Sequence, residues 1–277
     1  MSEYEFVGDK NWNFDSKNEM STWDAYANHR DIVTGFIKSS ASSTATSLCV
    51  LGAGYCFDLN LKLLRDEFDK ITLVDLSEED IAIGLAYQDL AFASNIESVT
   101  GIDVTGVDKL LEEFASNRVE ASLNEVFEIV NSSQPQLPEL YDCVASTCLL
   151  SQLLYKATQS IGEDHERFVE LLQATRLAHI RFLIDSLNDG GTGILFSDFV
   201  SSESLPELVQ TTDLQRTVGE AIATRNFLHG LNPAMVAKVF DQSEIRSKLT
   251  GIKVTDPWRW VTGDRVYACF AIIFNKK

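Results

Sequence analysis

The sequence predicts an α/β protein built on a doubly wound, mostly parallel seven-stranded sheet with an antiparallel last strand. Three observations carry this. Short apolar runs alternate with amphipathic stretches along most of the chain, as in parallel strands joined by helical crossovers. The last two apolar runs are joined only by Thr262-Gly263-Asp264, too short for a crossover, so they must be antiparallel neighbours. Length and composition fit one large domain: 277 residues, 45% hydrophobic, with 15 glycines and 5 prolines.

Each element has its own signal. An aromatic-rich, helical N-terminal arm covers 1–45 and runs into a Ser/Thr-rich patch at 39–47. Strands are expected at Ser47–Leu51, Ile71–Val74, Ser98–Val104, Tyr141–Ser146 and Gly193–Ser197, all within the core, 46–199. Their short apolar runs suit strands buried on both faces. Phe57–Asp66 reads as a helix because Leu59, Leu63 and Leu64 share a face. Further helices are expected at Glu78–Ala93, Val107–Asn131 and Glu163–Leu187, the last stopped by Asn-Asp-Gly-Gly. A helical insertion, 200–250, precedes the terminal pair in 251–277, with strands at Ile252–Trp258 and Arg265–Asn275.

Charge narrows the partners. The chain has 41 acidic and 23 basic side chains, a net charge of -18. Phosphate backbones and anionic lipid are repelled, so a small molecule is expected, with neither nucleic acid nor membrane. The longest apolar run, Ala268–Phe274, is far below the roughly 20 residues of a spanning helix. The first residues are acidic where a signal peptide is basic and apolar. The 5 cysteines contain no CxxC, and Cys49, Cys143 and Cys269 read as buried thiols. No metal site is expected, and the cytoplasm is the expected location.

Ligands of such sheets bind at the carboxyl ends of the strands, where strand order reverses. The first strand leaves through Gly52-Ala53-Gly54, where glycines allow a sharp turn and close backbone approach. The second leaves through Asp75 and Leu76, 21 residues beyond Gly54, where a carboxylate can accept both ribose hydroxyls. Ser77 is placed to cap the following helix. The third leaves through Asp103 and Val104, suited to an adenine amino group. Ser146 and Thr147 leave the fourth and would line a reacting centre. A nicotinamide fingerprint wants a third glycine where this chain has Phe57, which argues against a pyrophosphate ligand.

With these residues in order, the chain resembles the class I S-adenosylmethionine-dependent methyltransferases, Rossmann-like and seven-stranded, from about Leu48 to the C-terminus. The resemblance rests on the glycine loop 52–54, Asp75, the Asp103 segment, the strand Tyr-Asp-Cys-Val-Ala-Ser-Thr and the closing Ala-Ile-Ile-Phe. It implies S-adenosylmethionine as cofactor and methyl transfer to a small-molecule acceptor by in-line displacement. It implies that Gly52, Ala53 and Gly54 underlie the methionine part, Asp75 the ribose and Asp103 the adenine. Two positions depart from the family pattern: Val50 stands where an acid is usual, and Cys56 where a third glycine is common. Asp58 is a candidate acceptor for the cofactor's ammonium. A nicotinamide-dependent oxidoreductase and a non-catalytic S-adenosylmethionine-binding protein on the same fold are the alternatives; a polyamine synthase is a remoter one.

Displacement at a sulfonium needs alignment in a dry pocket more than it needs a catalytic group. The arm, the insertion and the exit of the fourth strand supply the candidates for that pocket: Trp12, Trp23, Tyr26 and Arg30 from the arm and Gln152 after the fourth strand for the acceptor, with His29 and His229 as candidate catalytic groups. His165 and His179 are expected to be solvated or packed on the long helix.

Overall fold

The computed structural model describes residues 22–118, 120–132, 136–263 and 265–277. Trp12 lies outside them. In chain order the elements are α1 (Ala27–Ser40), β1 (Ser47–Leu51), α2 (Leu61–Leu64), β2 (Lys70–Asp75), α3 (Glu78–Tyr87), β3 (Ile96–Thr100), α4 (Asp108–Asn117), α5 (Glu120–Ser132), β4 (Tyr141–Thr147), α6 (Leu149–Ile161), α7 (Phe168–Asp185) and β5 (Leu187–Ser201). A 3₁₀ turn (Pro206–Val209), α8 (Leu214–Ala223), α9 (Pro233–Phe240) and α10 (Ser243–Lys248) lead to β6 (Leu249–Val254), β7 (Trp258–Thr262) and β8 (Arg265–Lys276).

The strand order is β3-β2-β1-β4-β5-β8-β6, with β7 also on β8. β1 to β5 are parallel, and β8 runs antiparallel to β5, from Thr192 opposite Asn275 to Ser201 opposite Tyr267. β6 pairs with the C-terminal half of β8 and β7 with its N-terminal half, both antiparallel. They lie end to end, so the eight strands make a sheet seven strands wide. The interruption falls at Thr255-Asp256-Pro257, where proline has no N–H to give the ladder. Thr255 bridges it, its N–H donating to Ala271 O and its Oγ1 accepting from Ala271 N.

Both faces of the sheet are covered. α4 to α7 and the insertion pack on one face around Phe114, Phe182, Phe199 and Phe240. α1 to α3 pack on the other around Val33, Ile37, Leu61, Ile81 and Trp258. Strand order reverses between β1 and β4, so the crevice opens above their carboxyl ends.

Several boundaries differ from the sequence reading. The helix expected over Phe57–Asp66 is one turn, Leu61–Leu64, because Cys56 turns left-handed (φ 55) and Asn60 caps the turn by accepting from Leu63 N. The helix expected to reach Ala93 stops at Tyr87, followed by left-handed Asp89 (φ 56). β3 ends at Thr100 because Gly101 (φ 72) turns Ile102 and Val104 into a cleft. The stretch 107–131 is two helices, broken by left-handed Arg118 (φ 53). α6 was not expected; it follows left-handed Cys148 (φ 47) with no side-chain cap, and so has no start signal. The expected stop, Asn188-Asp189-Gly190-Gly191, lies inside β5, and the helix before it already ends at Asp185.

Candidate functional site

A cleft of about 240 Å³ opens above β1, β2, β3 and β4, lined by residues that include Gly52, Asp75, Leu76, Asp103, Val104 and Gln152. Val74, Ile102, Leu149 and Leu153 add apolar lining. Its floor is the turn after β1. Gly52 (φ 76) and Gly54 (φ 45) both have left-handed backbone. A Cβ on Gly52 would meet Leu149 Cβ at 2.8 Å, whereas nothing lies within 4 Å of one on Gly54. The space above Gly54 is therefore open to a ligand. Gly52 and Ala53 donate to Val74 O at 2.9 and 3.2 Å, which fixes the loop over β2. Cys56 keeps the glycine-like conformation of the position it occupies, φ 55.

Asp75 holds that loop in place. Its Oδ2 accepts from Gly54 N at 2.8 Å and its Oδ1 from Ser77 N at 3.1 Å. Each oxygen keeps a lone pair for a further donor. Ser77 caps α3 by accepting from Asp80 N, as expected. Asp103 lines the cleft, but its carboxylate is engaged by its own turn: Oδ1 accepts from Thr105 N and Oγ1, and Oδ2 from Asp108 N. Lys156 bridges Asp108 and Glu112 at 2.5 and 3.0 Å across the α4 side of the cleft. Leu76, 62% exposed, forms a lip.

The two residues leaving β4 diverge. Thr147 Oγ1 donates to Gly52 O at 3.0 Å and ties β4 to the glycine loop. Ser146 is fully buried, 2.8 Å from His179 Nε2 beneath the cleft. Burial holds the His179 imidazole down at about 4, so it packs there neutral.

The arm meets the site at the loop after Gly54. Arg30 donates to the carbonyls of Trp23 and Phe57 at 2.9 and 3.3 Å, and its guanidinium lies 3.5 Å over the Trp23 ring. Tyr26 Oη donates to Thr262 Oγ1, and its ring stands edge-on to Trp260. His29 is buried, with Nδ1 accepting from Trp258 Nε1 at 3.0 Å. An indole only donates, so His29 carries its proton on Nε2, which lies 3.5 Å from Asp58 Oδ1 without a hydrogen bond to it. Burial, and then Arg30, lowers the His29 pKa to about 3, so this neutral contact is not an ion pair. Asp58 is pushed up to about 7 by burial and then by the charge of Asp198. Asp198, near the end of β5, is pushed up to about 6 by burial. His229 sits apart, half exposed, paired with Glu163 at 2.9 Å beside a second cleft of about 370 Å³ under the insertion.

Sequence reasoning missed three supports of this site. Asp198 stands inside the apolar run Ile-Leu-Phe-Ser-Asp-Phe-Val, and a lone acid there was the available signal. Gln88 is buried and braces the glycine loop, its Oε1 accepting from Leu61 N and its Nε2 donating to Cys56 O. Gly84 lets α3 lie against the loop: a Cβ there would be 2.1 Å from Tyr55 O.

No family model matches the chain, and no curated protein does. Among solved structures, similar chain paths occur in the N-methyltransferase NodS from Bradyrhizobium japonicum WM9 in complex with S-adenosyl-L-homocysteine. That match is 14% identical, covers 98% of this chain and 93% of that one, and has a TM-score of 0.45. Magnesium protoporphyrin IX methyltransferase from Synechocystis PCC 6803 is 15% identical, with 98% and 90% covered and a TM-score of 0.49. A putative S-adenosyl-L-methionine-dependent methyltransferase from Methanococcus maripaludis is 16% identical, with 95% and 91% covered and a TM-score of 0.46. By its own strand order, its crevice at the β1/β4 reversal and its one antiparallel strand, the chain has the Rossmann-like fold of the class I S-adenosylmethionine-dependent methyltransferases.

Proposed function

We propose that this chain binds S-adenosylmethionine in the β1–β4 cleft and transfers its methyl group to a small-molecule acceptor. One observation carries the reading: the cleft offers an acid and an open glycine loop but no cradle for phosphates. A dinucleotide needs free N–H groups at the start of a helix after the glycine loop. Here that helix is one turn long. Its first N–H, on Leu61, is taken by Gln88, and Leu63 N is taken by Asn60. Phe57 is buried among Trp23, Tyr26 and Tyr87 where the third glycine of the nicotinamide fingerprint would be. These facts favour an uncharged adenosine end and disfavour the oxidoreductase alternative.

In this reading Gly52, Ala53 and Gly54 underlie the methionine part, and Asp75 accepts the ribose hydroxyls with its remaining lone pairs. Val104 and Leu76 flank the adenine. Asp103 shapes that end chiefly through the turn it holds. Bound there, the cofactor supplies a methyl on a positively charged sulfur, and the chain's task is alignment and exclusion of water. Neither candidate histidine serves as base: the unprotonated nitrogen of His29 already accepts from Trp258, and His229 lies on the second cleft. The net charge of -18 favours a small acceptor over nucleic acid.

Titration calorimetry with S-adenosylmethionine, S-adenosylhomocysteine and NAD tests the reading. Saturable binding of the two sulfur compounds without NAD is the expected result. Binding of NAD alone, or of none of the three, overturns it.

A further inference from the structure

The arm, the loop after β1 and the end of β5 enclose a group of polar atoms that the cofactor cleft does not use. Asp198 Oδ1 is buried without a hydrogen-bond partner, and Asp58 Oδ1 has beside it only His29 Nε2, 3.5 Å away and not hydrogen-bonded to it. Asp198 is 2% exposed and His29 1%. The two carboxyl groups come from different elements, yet the fold brings them to one side of the sheet: Asp198 stands opposite Cys269 and Cys269 opposite Trp258, whose indole holds His29 beside Asp58. Arg30 is felt at Asp58, but its guanidinium donates to the carbonyls of Trp23 and Phe57. The nearby Ser151 hydroxyl donates to Cys148 O, and Asp198 Oδ1 is left free. Unpaired buried carboxylate oxygens such as Asp58 Oδ1 and Asp198 Oδ1 are costly unless a ligand supplies the donor.

The surroundings name the ligand's chemistry. Trp260 stacks on His29 with centroids 4.8 Å apart, and lies 5.2 Å from Tyr26 and 5.3 Å from Tyr267. Tyr26 feels the charge of Asp58, and Tyr267 that of Asp198. Carboxylates beneath aromatic faces attract a cation that carries N–H donors. Asp58 keeps 18% of its side chain exposed, which leaves an entrance. It follows Gly54 by four residues, and Cys148, which feels both acids, follows the Thr147 that is bonded to the glycine loop. The acid pair thus adjoins the methionine end of the proposed cofactor site.

We propose that the Asp58–Asp198 pair, walled by Tyr26, Trp260 and Tyr267, receives the protonated amine of the methyl acceptor, so that the substrate is an amine. This rests on the methyl-transfer reading above. The ammonium gives one proton to a carboxylate oxygen of the pair. The freed nitrogen lone pair forms the new N–C bond as the C–S bond breaks, and the electrons of that bond stay on the now neutral sulfur. The methylated nitrogen carries the positive charge and remains paired with the second acid until it leaves.

The test is calorimetry on the full chain saturated with S-adenosylhomocysteine, using methylammonium, benzylammonium and spermidine as probes and benzyl alcohol as a neutral control. At least one ammonium should bind saturably and the alcohol should not. Asp198→Asn should weaken that binding about tenfold or more and leave the dissociation constant of S-adenosylhomocysteine within about twofold. Asp58→Asn, with thermal melts on both variants, covers the case in which one of them misfolds. No ammonium binding, or binding indifferent to both substitutions, overturns the proposal. So does a comparable loss of S-adenosylhomocysteine affinity in Asp198→Asn, which would give the pair to the cofactor's own ammonium. If the wild-type chain does not bind S-adenosylhomocysteine, the methyl-transfer reading falls and this inference with it. If only the amines fail, only this inference falls.

Discussion

Asp142 and Asp58 show how far burial and donors decide what a carboxylate does. Asp142 Oδ2 accepts from the N–H and hydroxyl groups of both Thr46 and Ser47, and Oδ1 accepts from Asn188. Burial pushes its pKa up, but those donors outweigh it and hold the group down at about 2. It joins the start of β1 to β4 and the start of β5, a purely structural role. Asp58 and Asp198 lack such donors and stand at about 7 and 6. Their folded-state pKa values exceed the unfolded value of about 4, so their contribution to stability is full below pH 4 and is lost as pH rises toward 7. His29 and His179, held near 3 and 4, act in the opposite sense: their contribution is present above about pH 6.5 and is lost as pH falls. The two effects offset, and the wild-type chain should hold nearly constant stability between those limits. Asp198→Asn removes one side of that balance. It should match wild type near pH 4 and exceed it near pH 8 by on the order of 2 kcal/mol, read from denaturant melts. Lower stability at pH 8 would show that the carboxylate is structural. Asp75 belongs to the same scale. Asp75→Ala should weaken S-adenosylhomocysteine binding by about 1–3 kcal/mol, because ribose hydroxyls and Gly54 N lose a charged acceptor. An unchanged dissociation constant would end the ribose role.

Among the elements, those with a local signal were legible and those set by tertiary contact were not. The strands β1, β2 and β4 sit where buried apolar runs placed them, β5 extends beyond its run at both ends, and Ser77 caps α3. α6 escaped because no capping residue announces it, and the helix pair α4 and α5 because a single left-handed arginine interrupts an unbroken amphipathic pattern. Arg118 holds that break by donating to Ser160 O and Ile161 O, groups 42 and 43 residues away that no local pattern reveals. The glycine loop could be read from the sequence, but its supports could not. Gly84 looks like a helix-weakening residue until α3 is seen against Tyr55 O. Gly84→Ala should therefore push the helix off the loop, lowering both the thermal midpoint and the affinity for S-adenosylhomocysteine. Gly219→Ala in α8, with nothing within 4 Å of the new Cβ, is the control. It should stabilise by about 0.5–1 kcal/mol and leave ligand binding alone. Equal behaviour of the two variants would reject the packing argument.

For the whole molecule, the question is what the N-terminal arm is for. A doubly wound sheet needs helices on both faces, and the crossover connections supply them only between successive parallel strands. The face of β5, β8 and β7 opposite α7 has no crossover helix, because β8 closes the sheet antiparallel. α1 fills that place. Val33 and Ile37 are fully buried against the cluster that holds Ile194, Phe196, Trp258 and Ala271. Phe36 lies 6.3 Å from Phe196 and 5.8 Å from Trp258. The same helix presents His29 to Trp258 and Arg30 to the loop after β1, and its Thr34 Oγ1 accepts from Asn60 N. One amphipathic segment thus completes the core with one face and, at its N-terminal end, brings His29 beside Asp58. Two outcomes separate these roles. A chain that starts at residue 46 should expose a contiguous apolar face and fail to yield a folded monomer, seen as loss of the cooperative melt and as self-association in sedimentation. Replacing His29 by Ala in the full chain should keep the cooperative melt but leave Trp258 Nε1 unpaired, lowering stability by about 1–3 kcal/mol. If the shortened chain instead melts cooperatively and loses only ligand affinity, the arm is a lid on a core that is complete without it.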